Sequence, residues 1–217
     1  MNTKTKTKLW AALLALGGLW ALGARAEAAG VGNPSYLDID VTITSSLSVS
    51  VDAANSSTYT VTWSGTPNQA IPAPSTATVK NDTGILTESW KLSTNANSMD
   101  TTGAGQQWAL SASTTSVGAD QFAVQAVFGS SNTTSCASVP EWVNSTIAPP
   151  LSAATPVTYT STVLAATSLN TGGSYAPDQS SGLMYAGSQR ALCWRAIMPA
   201  STSTQNKQNI QVIVTAF

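Results

Sequence analysis

The segment Asn209–Phe217, which reads NIQVIVTAF, indicates the fold class of this 217-residue chain. Ile210, Val212 and Val214 occupy every second position, and a period of two is the pattern of a β-strand. The same alternation recurs in eight other segments: Tyr36–Ile43, Ser46–Asp52, Thr58–Trp63, Glu88–Ser93, Gln107–Ser111, Gln121–Phe128, Val157–Ala165 and Ala191–Met198. Turn-forming dipeptides such as Ser64-Gly65 and Pro149-Pro150 separate these segments.

Many short strands at close spacing are typical of antiparallel sandwiches and barrels. No window of 11 or more residues after residue 28 carries the apolar stripe of an amphipathic helix. We therefore predict an all-β fold, an antiparallel β-sandwich of immunoglobulin-like or jelly-roll-like type, with about nine or ten strands. The regular alternation predicts that each strand has one buried face and one face in water.

The N-terminal residues have the three parts of a secretory signal peptide. Lys4, Lys6 and Lys8 are followed by the sixteen-residue apolar run Leu9–Ala24 and then by the small-residue motifs of Ala24–Ala28. An uncleaved membrane anchor is the alternative, but the apolar run is shorter than the ~20 residues of a spanning helix. We predict cleavage after Ala26 or Ala28, with residues 1–28 as a bacterial-type signal peptide and residues 29–217 as a single β-sandwich domain without a membrane-spanning segment.

Export predicts a location outside the cytoplasm. We expect a secreted, extracellular or cell-surface protein, and the periplasm is the alternative location. After residue 28 the chain carries five basic and nine acidic residues, a net charge of −4. No basic patch is available to neutralise phosphates, so nucleic acid is a poor partner. Serine and threonine supply most of the polarity, and we associate such hydroxyl-rich surfaces with exported β proteins and fibre subunits.

The chain has two cysteines, Cys136 and Cys193. An even cysteine count in an exported protein predicts a disulfide. Two buried free thiols are the alternative. A bridge would pin the irregular segment Gly129–Pro156 to the Ala191–Met198 strand and would add roughly 4 kcal/mol in the chain-entropy model.

The sequence lacks histidine altogether, which removes the commonest general base and the histidine metal ligands. Catalysis by carboxylates alone would need a facing pair. The candidates are Asp52, Asp82, Glu88, Asp100, Asp120, Glu141 and Asp178. We expect most of them to cap turns. Asn81–Gly84 is predicted to be such a turn, with Asp82 as its capping residue. Asp38 and Asp40 could bind calcium, but charges that guard a strand edge are the preferred interpretation. We expect no cofactor, no metal and no enzymatic activity.

Five tryptophans follow residue 28, and four of them are in phase with apolar neighbours on predicted strands. The predicted core therefore comprises Trp63, Trp90, Trp108, Phe122, Val124, Trp194, Val212 and Val214. Trp142 lies in the irregular segment after Pro140. It is either a possible ligand-contact aromatic that stacks on a sugar or a ring that packs over the disulfide, and packing is the preferred interpretation.

Two tryptophans occur in W-x-L tripeptides, Trp90-Lys91-Leu92 and Trp108-Ala109-Leu110, and the first follows the turn segment Val79–Gly84. This region resembles the WxL domains of bacterial cell-surface proteins, small exported β domains. The resemblance implies non-covalent attachment to peptidoglycan. The late tryptophan departs from the WxL pattern, because it reads Trp194-Arg195-Ala196.

The preferred function is that of an exported non-enzymatic structural or adhesive β-sandwich of the cell surface, as a subunit of a fibre or layer. Its partners would be other surface-protein subunits or cell-wall polysaccharide, and strand pairing through Ala29–Ser35 or Asn209–Phe217 would make it a homo-oligomer. The alternative is a peptidoglycan- or carbohydrate-binding module of WxL type. A carboxylate-only enzyme and a monomer with a frayed N-terminus are further alternatives.

Overall fold

The computed structural model describes residues 35–43, 49–51, 58–101, 107–169, 176–178, 182–204 and 206–217, with the backbone alone for the strand residues up to 63. The predicted signal peptide, the segment Ala29–Pro34 and Asp52 lie outside the described residues. Asn33–Phe217 is grouped as one compact unit.

The described residues form thirteen strands. In chain order they are β1 (Ser35–Ile43), β2 (Val49–Val51), β3 (Thr58–Gly65), β4 (Ala70–Pro72), β5 (Ala77–Asn81), β6 (Glu88–Thr94), β7 (Met99–Asp100), β8 (Ala109–Leu110), β9 (Gln121–Gly129), β10 (Val157–Thr158), β11 (Leu183–Met184), β12 (Gln189–Ile197) and β13 (Gln208–Ala216). Two short 3-10 helices, Pro140–Val143 and Thr167–Leu169, complete the described elements.

These strands form two sheets, and the predicted β-sandwich is confirmed. The first sheet has the order β10-β6-β13-β1-β3, with β11 also on β6 and β7 on β13. The second has the order β2-β5-β12-β9-β8, with β4 also on β12. Most neighbouring strands are antiparallel, but β1 runs parallel to β13, from Leu37 opposite Gln208 to Ile43 opposite Val214.

An aromatic cluster links the two sheets inside the sandwich. The ring centroid of Phe128 lies 5.5 Å from that of Trp90 and 4.4 Å from that of Tyr159. The predicted core residues with described side chains are all buried: Trp90, Trp108, Phe122, Val124, Trp194, Val212 and Val214. The side chain of Trp63 lies outside the described set.

Strand lengths differ from the prediction at several places. The segment Val157–Ala165 keeps only the two-residue strand Val157–Thr158 and an isolated bridge from Ala165 to Phe128. Between them the Thr160 hydroxyl accepts hydrogen bonds from the backbone N–H groups of Thr162 and Val163 and starts a turn. The segment Gln107–Ser111 keeps only β8, which runs parallel to β9. Strands β4, β5, β7 and β11 were not predicted.

The expectation of one wet face on every strand is wrong for β9 and β12 of the second sheet and for β6 of the first, which is buried at six of its seven positions. Strand β9 is buried from Phe122 through Gly129, and β12 is buried at most positions. Residues 130–169 follow β9, fold over its outer face and bridge to its edge at Gln125 and Phe128, and between these two bridges Val157 and Thr158 pair with β6 of the first sheet. Leu151 N–H donates to the carbonyl of Val124, and the side-chain amide of Gln125 donates to the carbonyl of Trp142. We call residues 130–169 the covering segment.

Candidate functional site

The predicted disulfide is confirmed. Cys136 and Cys193 are bonded, with their Cα atoms 5.4 Å apart. Cys193 lies on the outer face of β12, opposite Val127 of β9. Both cysteines are fully buried. The bond therefore fixes the covering segment to the outer face of the second sheet.

Beside the disulfide, Arg195 and Trp142 form a stacked pair. The guanidinium carbon of Arg195 lies 5.3 Å from the centroid of the Trp142 ring. The guanidinium also donates to Oε1 of Gln125 (2.8 Å) and to the carbonyl oxygen of Trp142 (3.0 Å). Burial lowers the pKa of Arg195 from its ordinary value. Since its acceptors are neutral, the cation is stabilised by amide dipoles and by the ring face.

Trp142 is 7 % exposed, so its ring faces the protein. Its indole Nε1 has no hydrogen-bond acceptor among the described residues. A sugar could reach this ring only after the covering segment moved. Trp142 is buried against Arg195, a neighbour that the sequence analysis did not identify.

Glu141 joins the two 3-10 helices. Its Oε1 accepts hydrogen bonds from Ser168 N–H (2.7 Å) and from the Thr167 hydroxyl (3.2 Å), and its Oε2 accepts one from the Ser168 hydroxyl. Burial alone would raise the pKa of Glu141, but these hydrogen bonds outweigh it and hold the pKa below the ordinary value. Glu141 therefore acts as a structural carboxylate within the covering segment.

Asp178 has a similar role next to β12. It accepts a hydrogen bond from Tyr185 N–H (2.6 Å) and forms an ion pair with the buried Arg190 (2.7 Å). Burial alone would raise the pKa of Asp178. Donors from Ser188, Tyr185 and Arg190 lower it below the ordinary value. The short segment 176–178 is thereby attached to the turn between β11 and β12.

Glu88 lies on the same face of β6 as Trp90, which is the face toward the interior of the sandwich. It is fully buried, and its Oε2 accepts a hydrogen bond from the indole N–H of Trp90 (2.9 Å). Its Oε1 has no partner within the described part of the chain. Burial raises the pKa of Glu88, the Trp90 bond opposes that effect, and the nearby Asp82 adds to it; the net pKa is raised.

The other acidic candidates lie in different parts of the fold. Asp82 forms an ion pair with Lys80 (2.9 Å), and the turn is capped instead by Asn81, whose Oδ1 accepts from Thr83 N–H (2.9 Å). Asp100 accepts from Asn206, and Asp120 accepts from Ser203 N–H. Asp38 and Asp40 lie in β1, which pairs with β13 on one side and with β3 on the other, so the interpretation that they guard a strand edge is wrong. No cluster of three or more potential metal ligands occurs among the residues described here.

Two surface features remain after these structural contacts. The first is the outer edge of β3, where no further described strand pairs. The expected pairing through Asn209–Phe217 is wrong, because β13 already pairs with β6 on one side and with β1 on the other. The second is a group of exposed apolar side chains at the end of β13, comprising Ile85, Leu86, Tyr185 and Phe217. Predicting these two features from the sequence would have required the order of the strands in the sheets, and hydrophobic periodicity does not determine that order.

Comparison of the chain with protein-family models, with curated proteins and with solved structures gave no match. In the described part of the chain, no helix has the length and apolar character needed to cross a bilayer. The tryptophans of both W-x-L tripeptides, Trp90 and Trp108, are fully buried. The arguments about function that follow therefore rest on this chain alone.

Proposed function

We propose that this protein is an exported, non-enzymatic structural component of the cell surface that assembles by strand pairing through β3. The observation that carries the proposal is the position of β3 at the outer edge of the first sheet, where no further described strand pairs with it. Its eight residues, TYTVTWSG, contain neither a charge nor a proline.

An unguarded edge strand presents unpaired N–H and C=O groups to any strand that reaches it. Monomeric proteins commonly protect such edges with lysines, prolines, bulges or very short strands. The opposite edge of the same sheet follows that rule, since β10 and β11 are only two residues long. The difference between the two edges supports pairing at β3 with another surface-protein subunit or another copy.

The acidic groups support a structural role rather than a catalytic one. Glu141 stabilises a 3-10 helix, and Asp178 is bonded to Arg190. A carboxylate-only mechanism would require two such groups to face one substrate. Their hydrogen bonds instead attach loops to the sandwich, which suits a protein that must resist mechanical and proteolytic stress outside the cell.

The alternative is a peptidoglycan- or carbohydrate-binding module of WxL type. Half-exposed Tyr185 and Phe217 favour it, because aromatic rings at a surface can stack on sugars. Retention on insoluble cell wall or polysaccharide, lost on Tyr185→Ser, would favour this module over the structural protein.

The test of the structural proposal is the double variant Thr60→Lys, Thr62→Lys. The register places Thr60 opposite Asp40 and Thr62 opposite Asp38, so each lysine meets an aspartate within its own sheet. A second chain at the β3 edge would instead meet two new positive charges. We expect the mature protein to form filaments or sheets in electron micrographs and this variant to remain dispersed.

Thr134→Lys is the matched control, because Thr134 is exposed in the covering segment far in sequence from β3. It should assemble like the wild type. If the β3 variant assembles as well as this control, or if the wild type itself stays monomeric at all concentrations, pairing through β3 is wrong.

A further inference from the structure

The sequence of β3 has nearly the same pattern in both directions. From Thr58 to Ser64 it reads TYTVTWS, with Val61 at the centre. A threonine stands on each side of Val61, an aromatic residue comes next on each side (Tyr59 and Trp63), and a hydroxyl residue stands at each end. In a two-fold contact between copies, residue i of one copy lies opposite residue j of the other, and j lies opposite i. A strand with this pattern is therefore complementary to itself in an antiparallel pair.

The register of the first sheet divides β3 into two faces. Val61 lies opposite Ile39 of β1, which lies opposite the buried Ile210 of β13. Since partners in register share a face and successive residues alternate, Val61 and the two aromatic positions belong to the core face of the sheet. The hydroxyl positions belong to the outer face, where Ser64 is exposed. In a two-fold contact centred on Val61, the core face and the outer face of one sheet continue as the same faces of the other.

The lengths of the edge strands indicate which partner fits β3. Strand β3 has eight residues. Among the described strands, β2, β4, β7, β8, β10 and β11 have two or three residues each. A head-to-tail contact between β3 and one of these short strands would leave most of the β3 edge unpaired. The described strand edge that matches β3 along its whole length is the β3 edge of a second copy.

The charges near this edge permit the contact. Strand β3 carries no charge, and Asp38 and Asp40 lie on the neighbouring strand β1. In a two-fold contact the strand order is β1, β3, β3, β1, so the two β1 strands are about 14 Å apart. That separation exceeds the Debye length of about 8 Å at physiological ionic strength. The aspartates of the two copies are therefore largely screened from one another.

We propose that β3 pairs antiparallel with β3 of a second copy, with the two-fold axis at Val61. The inference rests on the proposed function, because it identifies the partner at the edge that this function uses. Thr60 of one copy then lies opposite Thr62 of the other, and Tyr59 lies opposite Trp63. Threonine pairs and aromatic pairs are favourable cross-strand neighbours. Because a two-fold contact closes on itself, the dimer is the building unit, and growth into a fibre or layer uses a further contact outside β3.

Two cysteine variants of the mature protein, Thr60→Cys and Thr62→Cys, test this register. Positions that lie opposite one another in an antiparallel pair have Cα atoms about 4.5–5.5 Å apart, which is within disulfide range. The same position in the two copies is displaced by two residues and lies about 8 Å away, beyond that range. Under mild oxidation we expect each variant alone to stay uncrosslinked. The two variants, mixed at low concentration and then concentrated, should form a covalent dimer on a non-reducing gel.

Thr115→Cys is the matched control, because Thr115 is an exposed threonine outside the strands. Mixed with Thr60→Cys it should give no covalent dimer. The native Cys136–Cys193 bond is fully buried and is present in every variant. Sedimentation velocity gives a second measurement on the double variant Thr60→Lys, Thr62→Lys. Each lysine of one copy would lie opposite a lysine of the other, so dimers should form at least tenfold more weakly than in the wild type, and added salt should restore part of the loss.

The outcomes separate this contact from the function on which it rests. A covalent dimer of Thr60→Cys alone would show parallel stacking of β3 and would overturn the two-fold contact. A mixture of the two cysteine variants that stays uncrosslinked would overturn it as well. If the lysine variant nevertheless abolishes filaments in either case, strand pairing through β3 stands with a different partner or register. If the mixture cross-links while the lysine variant assembles like the wild type, the two-fold contact stands and assembly through β3 is wrong.

Discussion

Strands β13 and β9 lie in different sheets and have the same length of nine residues, but they bury different numbers of faces. In β13, buried and half-buried residues alternate along the whole strand. In β9, every residue from Phe122 onward is buried. The outer face of β9 is covered by the segment that begins directly after it, and this cover is covalently attached through Cys136.

The difference teaches that one sandwich can combine two kinds of sheet surface. Both strands contribute one apolar face to the common core, with Val212 and Val214 from β13 and Val124 and Phe128 from β9. The second face of β9 is closed by polar contacts such as Gln125 with Trp142 as well as by packing. The predictions below test how much each surface contributes to stability.

The largest effect is expected where the two sheets meet. Trp90→Ala removes a fully buried ring that packs on Phe128 and leaves Glu88 without its indole donor. We expect a loss of about 3–5 kcal/mol in the free energy of unfolding, as for other large core deletions, measured by urea denaturation. Val143→Ala, on an exposed side chain, should change it by less than about 0.5 kcal/mol. Equal losses for the two variants would place the Trp90 ring outside the core.

The second effect distinguishes the covered surface from the open one. Replacing both Cys136 and Cys193 by alanine should lower stability by roughly 4 kcal/mol, on the entropy model for a loop of this length. Intact mass should change by two hydrogens when the native protein is reduced. Amide exchange should increase first in residues 130–169 and not in β13, because only the covering segment loses its attachment. Native thiols that react with an alkylating reagent without reduction would contradict the bond.

Periodicity in the sequence predicted the strands that alternate, but it did not predict which of their faces are buried. The Ile210, Val212 and Val214 series identified β13 correctly, since its other face is only half-buried. In β9 the second series, Ala123, Gln125 and Val127, is also mostly apolar, and a continuous apolar run is a signal of burial on both faces. That signal was present in the sequence, but the alternation of apolar residues favoured a strand with one buried face.

The candidate site was predictable only in part. Cysteine parity and export were sufficient for the disulfide. The contacts of Trp142 with Arg195, and of Glu141 with Ser168, join residues tens of positions apart. At least one partner in each contact lies in a 3-10 helix of three or four residues, which is too short for periodicity to predict. The exposed apolar group of Ile85, Leu86, Tyr185 and Phe217 depends on the pairing of β11 and the end of β13 with β6, a long-range register that local patterns do not determine.

A pair of truncations compares the outer faces directly. Val127→Ala in β9 removes two buried methyl groups, and we expect a cost of about 2 kcal/mol from lost burial and the cavity left behind. Ile213→Ala in β13 removes more carbon atoms from a half-buried position, and we expect less than about 1 kcal/mol. Urea denaturation of both variants measures the two losses in the free energy of unfolding. A larger cost at Ile213 would mean that the outer face of β13 is covered in solution.

The smallest effect concerns pH, and its sign differs between the core and the covering segment. The pKa of Glu88 is raised above 4.5, so the folded state binds more protons than the unfolded state just above that pH. The Glu88 contribution to the free energy of unfolding therefore falls as pH rises from about 4.5 through the folded pKa. The pKa of Glu141 is lowered, so its contribution is present above the unfolded value and is lost as pH falls.

Two matched substitutions separate these signs. Relative to wild type, Glu88→Gln should gain stability as pH rises from 5 to 7, because it removes the buried charge and keeps an oxygen that can accept from Trp90 N–H. Glu141→Gln should instead lose more stability as pH rises from 3 to 5, because Ser168 and Thr167 then donate to a neutral amide and not to a carboxylate. Urea denaturation at each pH measures both differences. If the Glu88→Gln and wild-type curves run parallel from pH 5 to 7, the Glu88 carboxyl is solvated like a surface group, and the burial that raises its pKa is absent in solution.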